Sequence, residues 1–148
     1  MVLHAIGKSI LLAMAVMIAL PAWSMSEKAP NAERVPAHYD AKKGLPRTLP
    51  KVLDPATLPD HSQQAAYAIA KKHSRLLAQL PCYCYCDRIG HRSLLSCFAD
   101  HHGADCTVCM QEAFLAAELA KKGLAAEKIR QAVIHGDWRK IDLQTHHH

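Results

Sequence analysis

Every cysteine of the chain, Cys82, Cys84, Cys86, Cys97, Cys106 and Cys109, falls within residues 82–109. Sulfur at that density has three uses: covalent bridges, ligation of soft metal ions, or thiol redox chemistry. The run Cys82-Tyr-Cys84-Tyr-Cys86 weighs against bridges. Three sulfurs so close together need three separate distant partners, and only Cys97, Cys106 and Cys109 remain. Bonds inside the triplet would close small, strained rings, since a disulfide prefers a Cα separation near about 5.5 Å. Ligation fits more easily. In an extended triplet the side chains alternate, so the three sulfurs share one side and Tyr83 and Tyr85 the other; a compact loop also converges them.

Cys106-Thr-Val-Cys109 places two further sulfurs three residues apart on the first turn of a helix, where unpaired N–H groups favour a thiolate. Cys97 faces the same interior by its spacing from Leu94. All-thiolate sites select Cu(I), zinc or iron–sulfur clusters. Zinc closes a site with about four ligands and leaves two of the six cysteines over, and an iron–sulfur cluster does not suit a chain that crosses a membrane unfolded. If each of six thiolates bridges two ions and each ion takes three sulfurs, the count closes at about four Cu(I) ions. His91, His101 and His102 lie inside the window as nitrogen ligands that would lower that number or cap the cluster. The candidate ligands are therefore the six cysteines and these three histidines, with copper as the cofactor and zinc as the alternative. Met110 turns about 100° away from Cys109 on a helix and belongs to the core. Tyr83 and Tyr85 shield the site or fill the core.

Two other chemistries compete. A Cys-x-x-Cys pair at a helix start is what a thiol–disulfide oxidoreductase uses, so redox work by Cys106 and Cys109 stays open, although no strand precedes them. The pair is followed by Met110 and not by histidine, which excludes the haem-attachment pattern. No activated serine, paired carboxylates or phosphate-binding glycine loop is visible, and the chain does not read as an enzyme.

The elements that must hold these residues are all helical. Asp60 is a good N-cap ahead of an amphipathic helix carrying Ala66, Ile69, Ala70, His73, Leu76, Leu77 and Leu80, which Pro81 ends. A shorter helix is predicted over residues 91–101, turning Leu94, Leu95, Cys97 and Phe98 inward, with Gly103 as its stop. Asp105 or Thr107 is predicted to cap a helix over 106–123 closed by Gly123, and a last helix over 125–136 ends at Gly136. No alternating strand pattern competes. The fold class is thus all-α, a small domain of about four helices over 60–145 with an irregular Cys-rich loop. At that size it would gain from a covalent or metal staple.

Ahead of it, residues 25–59 carry Pro30, Pro36, Pro46, Pro50, Pro55 and Pro59, a spacing that no helix or central strand tolerates. This is an extended arm or linker, which either holds the domain away from a surface or lies along it. Residues 10–20 form an apolar run too short to span a membrane, broken by Pro21 and followed by Ala22 and Ser24, which reads as a signal peptide over 1–24 cleaved near Ser24. No cysteine follows that run to carry a lipid. The expected compartment is the periplasm, with no stable membrane span after cleavage. An even cysteine count in an exported chain also keeps a disulfide-stabilised binding module in play. The formal charge is +5; losing Lys8 with the leader takes one from it. With no dense basic run and few aromatics, nucleic acid is not a partner. The partners implied are metal ions and a copper-donor or copper-acceptor protein. His146, His147 and His148 are a tag remnant or a metal-scavenging tail, and stand outside the fold.

The segments "LPCYCYC", "HRSLLSCF" and "HHGADCTVCMQEA" resemble the bacterial exported proteins named for a Pro-Cys-Tyr-Cys-Gly-Cys motif. The resemblance covers roughly residues 80–134 and rests on Pro81, Cys82, Tyr83, Cys84, Cys86, His91, Ser93, Leu94, Cys97, Phe98, Cys106, Cys109, Gly123, Ile129 and Arg130. Tyr85 departs from it, standing where the motif has glycine, whose backbone freedom tyrosine lacks. Many proteins of that family look lipid-anchored; this chain lacks the cysteine for it. The family is described as of unknown function, so the resemblance implies an exported Cys-rich domain and no particular activity.

Overall fold

The computed structural model describes residues 34–145; the predicted leader, the first part of the arm and the three terminal histidines lie outside them. Among the described residues there is no strand. The α-helices are α1 (His61–Lys72), α2 (Ser74–Leu77), α3 (Thr107–Lys121) and α4 (Ala126–His135), joined by 3-10 turns. The all-α expectation holds. No helix among the described residues is long and apolar enough to cross a membrane.

Asp60 caps α1 as predicted, its carboxylate accepting from the N–H groups of Ser62 and Gln63 at 2.8 and 3.2 Å, which satisfies two of the donors a helix start leaves over. The helix does not run on to Leu80. It breaks at His73 (φ −111°, ψ 29°) and resumes as the single turn of α2. Leu77, Ala78 and Leu80 are all buried, and a continuous helix would spread these three over about 160° of its circumference. Breaking the helix lets the chain enter the core and bury them together.

The helix predicted over 91–101 is a second correction. Two 3-10 turns stand there, Leu94–Phe98 and His101–Gly103. Ser93, Leu94, Leu95, Cys97 and Phe98 are all buried and only Ser96 between them is part-exposed, so this stretch threads the interior with little of the solvent face an amphipathic helix keeps. Short 3-10 turns suit such a stretch. Leu94 N–H donates to the Leu80 carbonyl at 2.9 Å, fastening this strap beside the cysteine triplet.

Tyr67 of α1 holds the strap from the other side. Its buried hydroxyl donates to the Asp100 carbonyl at 2.5 Å and accepts from Ala104 N–H at 3.0 Å, and its ring meets Phe98 edge-on with centroids 5.0 Å apart. Gly103 is what lets these parts close. A Cβ there would lie 2.7 Å from the Cys97 carbonyl oxygen and 3.2 Å from the Tyr67 hydroxyl, so its role is close approach and not the left-handed helix stop predicted. Gly103→Ala is expected to destabilise the domain by about 1–3 kcal/mol, the usual range for overpacking, read as a lowered urea midpoint with an unchanged m-value.

In α3 the N-cap is Cys106, not Asp105 or Thr107, and no side chain caps it. Gly123 (φ 80°) and Gly136 (φ 79°) lie in the left-handed region that ends helices, as predicted. The arm from residue 34 lies along the domain. Tyr39 N–H donates to the Ala78 carbonyl at 3.0 Å, Leu53 N–H to the Phe98 carbonyl at 2.9 Å, and Leu58 joins the core. At its start the Arg34 guanidinium grips both oxygens of Asp87 at 2.6 and 3.0 Å, and Ala37 N–H adds a third bond to Asp87 at 3.1 Å. Pro36 and Ala37 thereby border Cys82, Cys86 and His91, so the arm roofs the cysteine loop.

Candidate metal centre

Pro81 follows the turn that closes α2, and the triplet after it is a tight turn, with Tyr85 N–H donating to the Cys82 carbonyl at 3.0 Å. Tyr85 sits at φ 59°, ψ 34°, the one non-glycine residue at positive φ among the described residues. This is the conformation glycine takes without strain, and it stands at the glycine position of the motif resembled above. The turn is therefore the glycine-type turn, made by a tyrosine at a backbone cost of about 1–2 kcal/mol. Edge contact with Tyr83 at 6.0 Å and the Arg88 guanidinium 5.2 Å from its ring centroid help hold it. Tyr85→Gly is expected to leave stability and metal binding within about 1 kcal/mol of the parent, because relief of backbone strain offsets the lost ring contacts. Tyr85→Val, with a β-branched side chain at positive φ, is expected to cost about 2 kcal/mol more than the glycine variant; chemical denaturation of both checks the pair.

Because the compact turn and not an extended run brings the sulfurs round, the Sγ atoms of Cys82, Cys84, Cys86, Cys97 and Cys109 all lie within 4.8 Å of one another. Cys97 arrives on the buried strap and Cys109 on the first turn of α3. Cys82 Sγ is 3.1 Å from Cys84 Sγ, and Cys109 Sγ is 3.5 Å from each of them. A second group, sharing two of these sulfurs, consists of Cys86, His91, Cys97 and His102, again within 4.8 Å. His102 Nε2 lies 2.9 Å from Cys86 Sγ and His91 Nδ1 lies 3.3 Å from Cys97 Sγ. Seven of the nine candidate ligands thus converge. His101 is exposed and belongs to neither group. Cys106 caps α3, half-exposed, and also stands outside both.

Cys84 and Cys86 are joined as a disulfide, while Cys82, Cys97, Cys106 and Cys109 are free thiols. The expectation that a bond inside the triplet is too strained is corrected here: the left-handed turn at Tyr85 sets the Cα atoms of Cys84 and Cys86 5.7 Å apart, within the ordinary disulfide range. A three-bridge framework is not what the chain forms. The bond ties up two members of the sulfur-only set, one of which, Cys86, also belongs to the histidine-bearing set, so the full ligand complement exists only in the reduced protein.

The thiols differ in acidity. Hydrogen bonds from Cys109 and Cys97 hold Cys82 well below an ordinary thiol, making it the favoured thiolate. Cys109 is pushed up by its hydrogen bonds to Cys106, Cys82 and Cys97 and by burial. Cys97 also rises: the Cys109 hydrogen bond favours its thiolate, but Cys82 and burial outweigh it. A hydrogen bond from Cys109 draws Cys106 down to about 6. Burial, then the neighbouring His102, lowers His91, which favours the neutral imidazole that metals bind. A cluster of adjacent thiols that cannot all ionise alone is one that a cation organises.

Glu112 escapes a reading by motif, since it looks like one more helix former in α3. It is 0 % exposed, and its Oε1 accepts from Tyr83 N–H inside the triplet at 2.8 Å. Its Oε2 is buried without a hydrogen-bond partner among the described residues. Burial, reinforced by negative charge at Cys82, raises its carboxyl well above the ordinary value and favours its protonated form. The signal available in the sequence is spacing: Glu112 stands three residues after Cys109, on the same helix face. It is a positioning residue, clamping the cysteine turn against α3.

The arrangement can hold metal ions through sulfur, with imidazole at one side. No curated protein and no solved structure matches the chain. A family model does, over residues 26–139, which takes in the roofing arm as well as the cysteine loop. By that match the chain belongs to the family described as proteins of unknown function with a PCYCGC motif.

Proposed function

We propose that this is an exported, periplasmic protein that binds soft metal ions, Cu(I) foremost, through its thiolate cluster for storage, sequestration or delivery. The observation that carries the reading is the mutual approach of five sulfurs within 4.8 Å. Sulfur-only coordination favours Cu(I) over oxygen-seeking ions, and Cu(I) accepts two or three bridging thiolates where zinc asks for a closed tetrahedron. Burial adds to this: thiolates out of water need compensating charge, which several Cu(I) ions supply together. Zinc is the alternative ion. The apolar run at residues 10–20 supports export, and a copper-donor or copper-acceptor protein is the partner such a role requires. A small domain also gains stability from a ligand that binds only the folded form. The test is titration of the reduced chain with Cu(I) against a chromophoric Cu(I) chelator: binding of more than one Cu(I) per chain supports the reading, and failure to compete at all removes it. Elemental analysis of protein purified anaerobically from its own compartment identifies the resident ion.

The Cys84–Cys86 bond favours a second reading, in which the cysteines cycle between disulfide and thiol. The exposed end of such a path would be Cys106, whose thiol is acidified to about 6 beside Cys109. Its test is a measurable thiol–disulfide exchange with a small dithiol that proceeds equally well with metal bound.

A further inference from the structure

The two ligand groups overlap without coinciding. Cys82, Cys84 and Cys109 belong only to the sulfur set, His91 and His102 only to the mixed set, and Cys86 and Cys97 to both. We propose that the centre is binuclear and unsymmetrical: an all-sulfur position for Cu(I) adjoins a two-nitrogen, two-sulfur position, Cys86–His91–Cys97–His102, that takes a borderline dication of the zinc class. This rests on the soft-metal reading above and adds to it a second site of different chemistry.

The geometry is specific. His91 precedes the buried strap and His102 follows it, so the two imidazoles approach from opposite ends of one segment. Their rings stand 5.0 Å apart at 79°, and each directs one nitrogen at a different thiol, His102 at Cys86 and His91 at Cys97. This crossed pairing produces four donors around one point. Two sulfurs with two imidazole nitrogens is a standard closed zinc set, whereas Cu(I) in the presence of thiolates gains little from imidazole. A three-sulfur position for Cu(I) at Cys82, Cys84 and Cys109 and the four-donor mixed position together use each of the seven donors once. Charge points the same way: each dication placed beside the buried thiolates neutralises twice what a Cu(I) ion does. Both positions depend on the reduced triplet, since the disulfide removes Cys84 from one and Cys86 from the other.

Co(II), a spectroscopic stand-in for zinc, supplies the test on the reduced full chain after loading with Cu(I). Wild-type protein is expected to bind one further Co(II) with intense tetrahedral d–d absorption. The double variant H91Q/H102Q is expected to lose that ion, with at least ~100-fold weaker Co(II) binding, a larger loss than any in its Cu(I) affinity. Undiminished Co(II) binding with an unchanged spectrum in the variant overturns the binuclear proposal and leaves the Cu(I) reading intact. Failure of the wild type to bind Cu(I) instead removes the underlying function. Zinc-edge X-ray absorption of wild-type protein carrying Cu(I) and one equivalent of zinc keeps the proposal falsifiable should the variant not fold: a mixed nitrogen and sulfur shell is expected, and a sulfur-only shell overturns it.

Discussion

Cys109→Ser is expected to weaken Cu(I) binding by at least ~100-fold, whereas Cys106→Ser, three residues away, changes it by less than about 10-fold. The two cysteines share a helix turn but not a role. Cys109 is fully buried and stands 3.5 Å from both Cys82 and Cys84; Cys106 is half-exposed and outside the converging set. A serine oxygen is a poor ligand for a soft cation. Loss of a neighbour that merely orients a ligand already costs ~10–100-fold in metal affinity, so loss of a central ligand costs at least the top of that range. The metal-free Cys109→Ser protein is also expected to be less stable by about 1–3 kcal/mol, the cost of a buried hydroxyl without a sure partner. Competition titration with a Cu(I) chelator, with circular dichroism to confirm that both variants keep their helices, separates the two. Equal affinities would mean that the Cys-x-x-Cys pair works as a unit, as a redox pair does.

The second large effect belongs to Glu112. Glu112→Leu is expected to destabilise the domain by about 2–4 kcal/mol: the Tyr83 N–H loses its acceptor inside the protein, and the branched side chain must refit a pocket shaped for a linear one. Glu112→Gln keeps an oxygen for Tyr83 and is expected to cost less than about 1 kcal/mol. The same carboxyl gives the metal-free protein a pH dependence of definite sign. Its folded-state affinity for a proton is raised above the ordinary value of 4.5, so the folded state holds a proton that the unfolded chain gives up. The contribution is full below 4.5 and is lost as pH rises from there through the folded value, with a slope of up to about 1.4 kcal/mol per pH unit. The acidified thiols Cys82 and Cys106 contribute with the opposite sign over the same interval, so the carboxyl is read as a difference: from pH 4.5 upward the urea midpoint of the reduced, metal-free protein is expected to fall relative to that of Glu112→Gln. A wild-type midpoint that rises relative to the Glu112→Gln variant over the same interval would show Glu112 ionised in the fold.

The parts of the fold that were legible in the sequence are those with one solvent face and a chemical stop. Asp60 starting α1, and Gly123 and Gly136 ending α3 and α4, follow from capping chemistry and hydrophobic spacing alone. The stretch from Leu77 to Gly103 was less so, because its buried residues come in short clusters, Leu77 to Cys82 and Ser93 to Phe98, separated by exposed turns such as Arg88 to Gly90, and such a chain has no sustained periodicity to read. That is why His73 breaks a helix that looks continuous and why two 3-10 turns stand where one helix was expected. The candidate site was legible as a list of sulfurs and histidines but not as a partition. Whether His101 or His102 faces the sulfurs depends on a turn that spacing does not specify. The Cys84–Cys86 approach depends on Tyr85 accepting positive φ, against its own preference. Glu112 was hidden because a glutamate in the middle of a helix is ordinary until something buries it.

The most direct measurement is alkylation of the reduced protein by iodoacetamide, with and without Cu(I), read by peptide mass spectrometry cysteine by cysteine. Convergence of the five sulfurs on shared metal ions predicts that Cu(I) slows alkylation of Cys82, Cys84, Cys86, Cys97 and Cys109 together in the folded protein, beyond the slowing that burial alone gives them, while half-exposed Cys106 continues to react. If those five alkylate as fast with copper as without it, the sulfurs do not serve one metal centre.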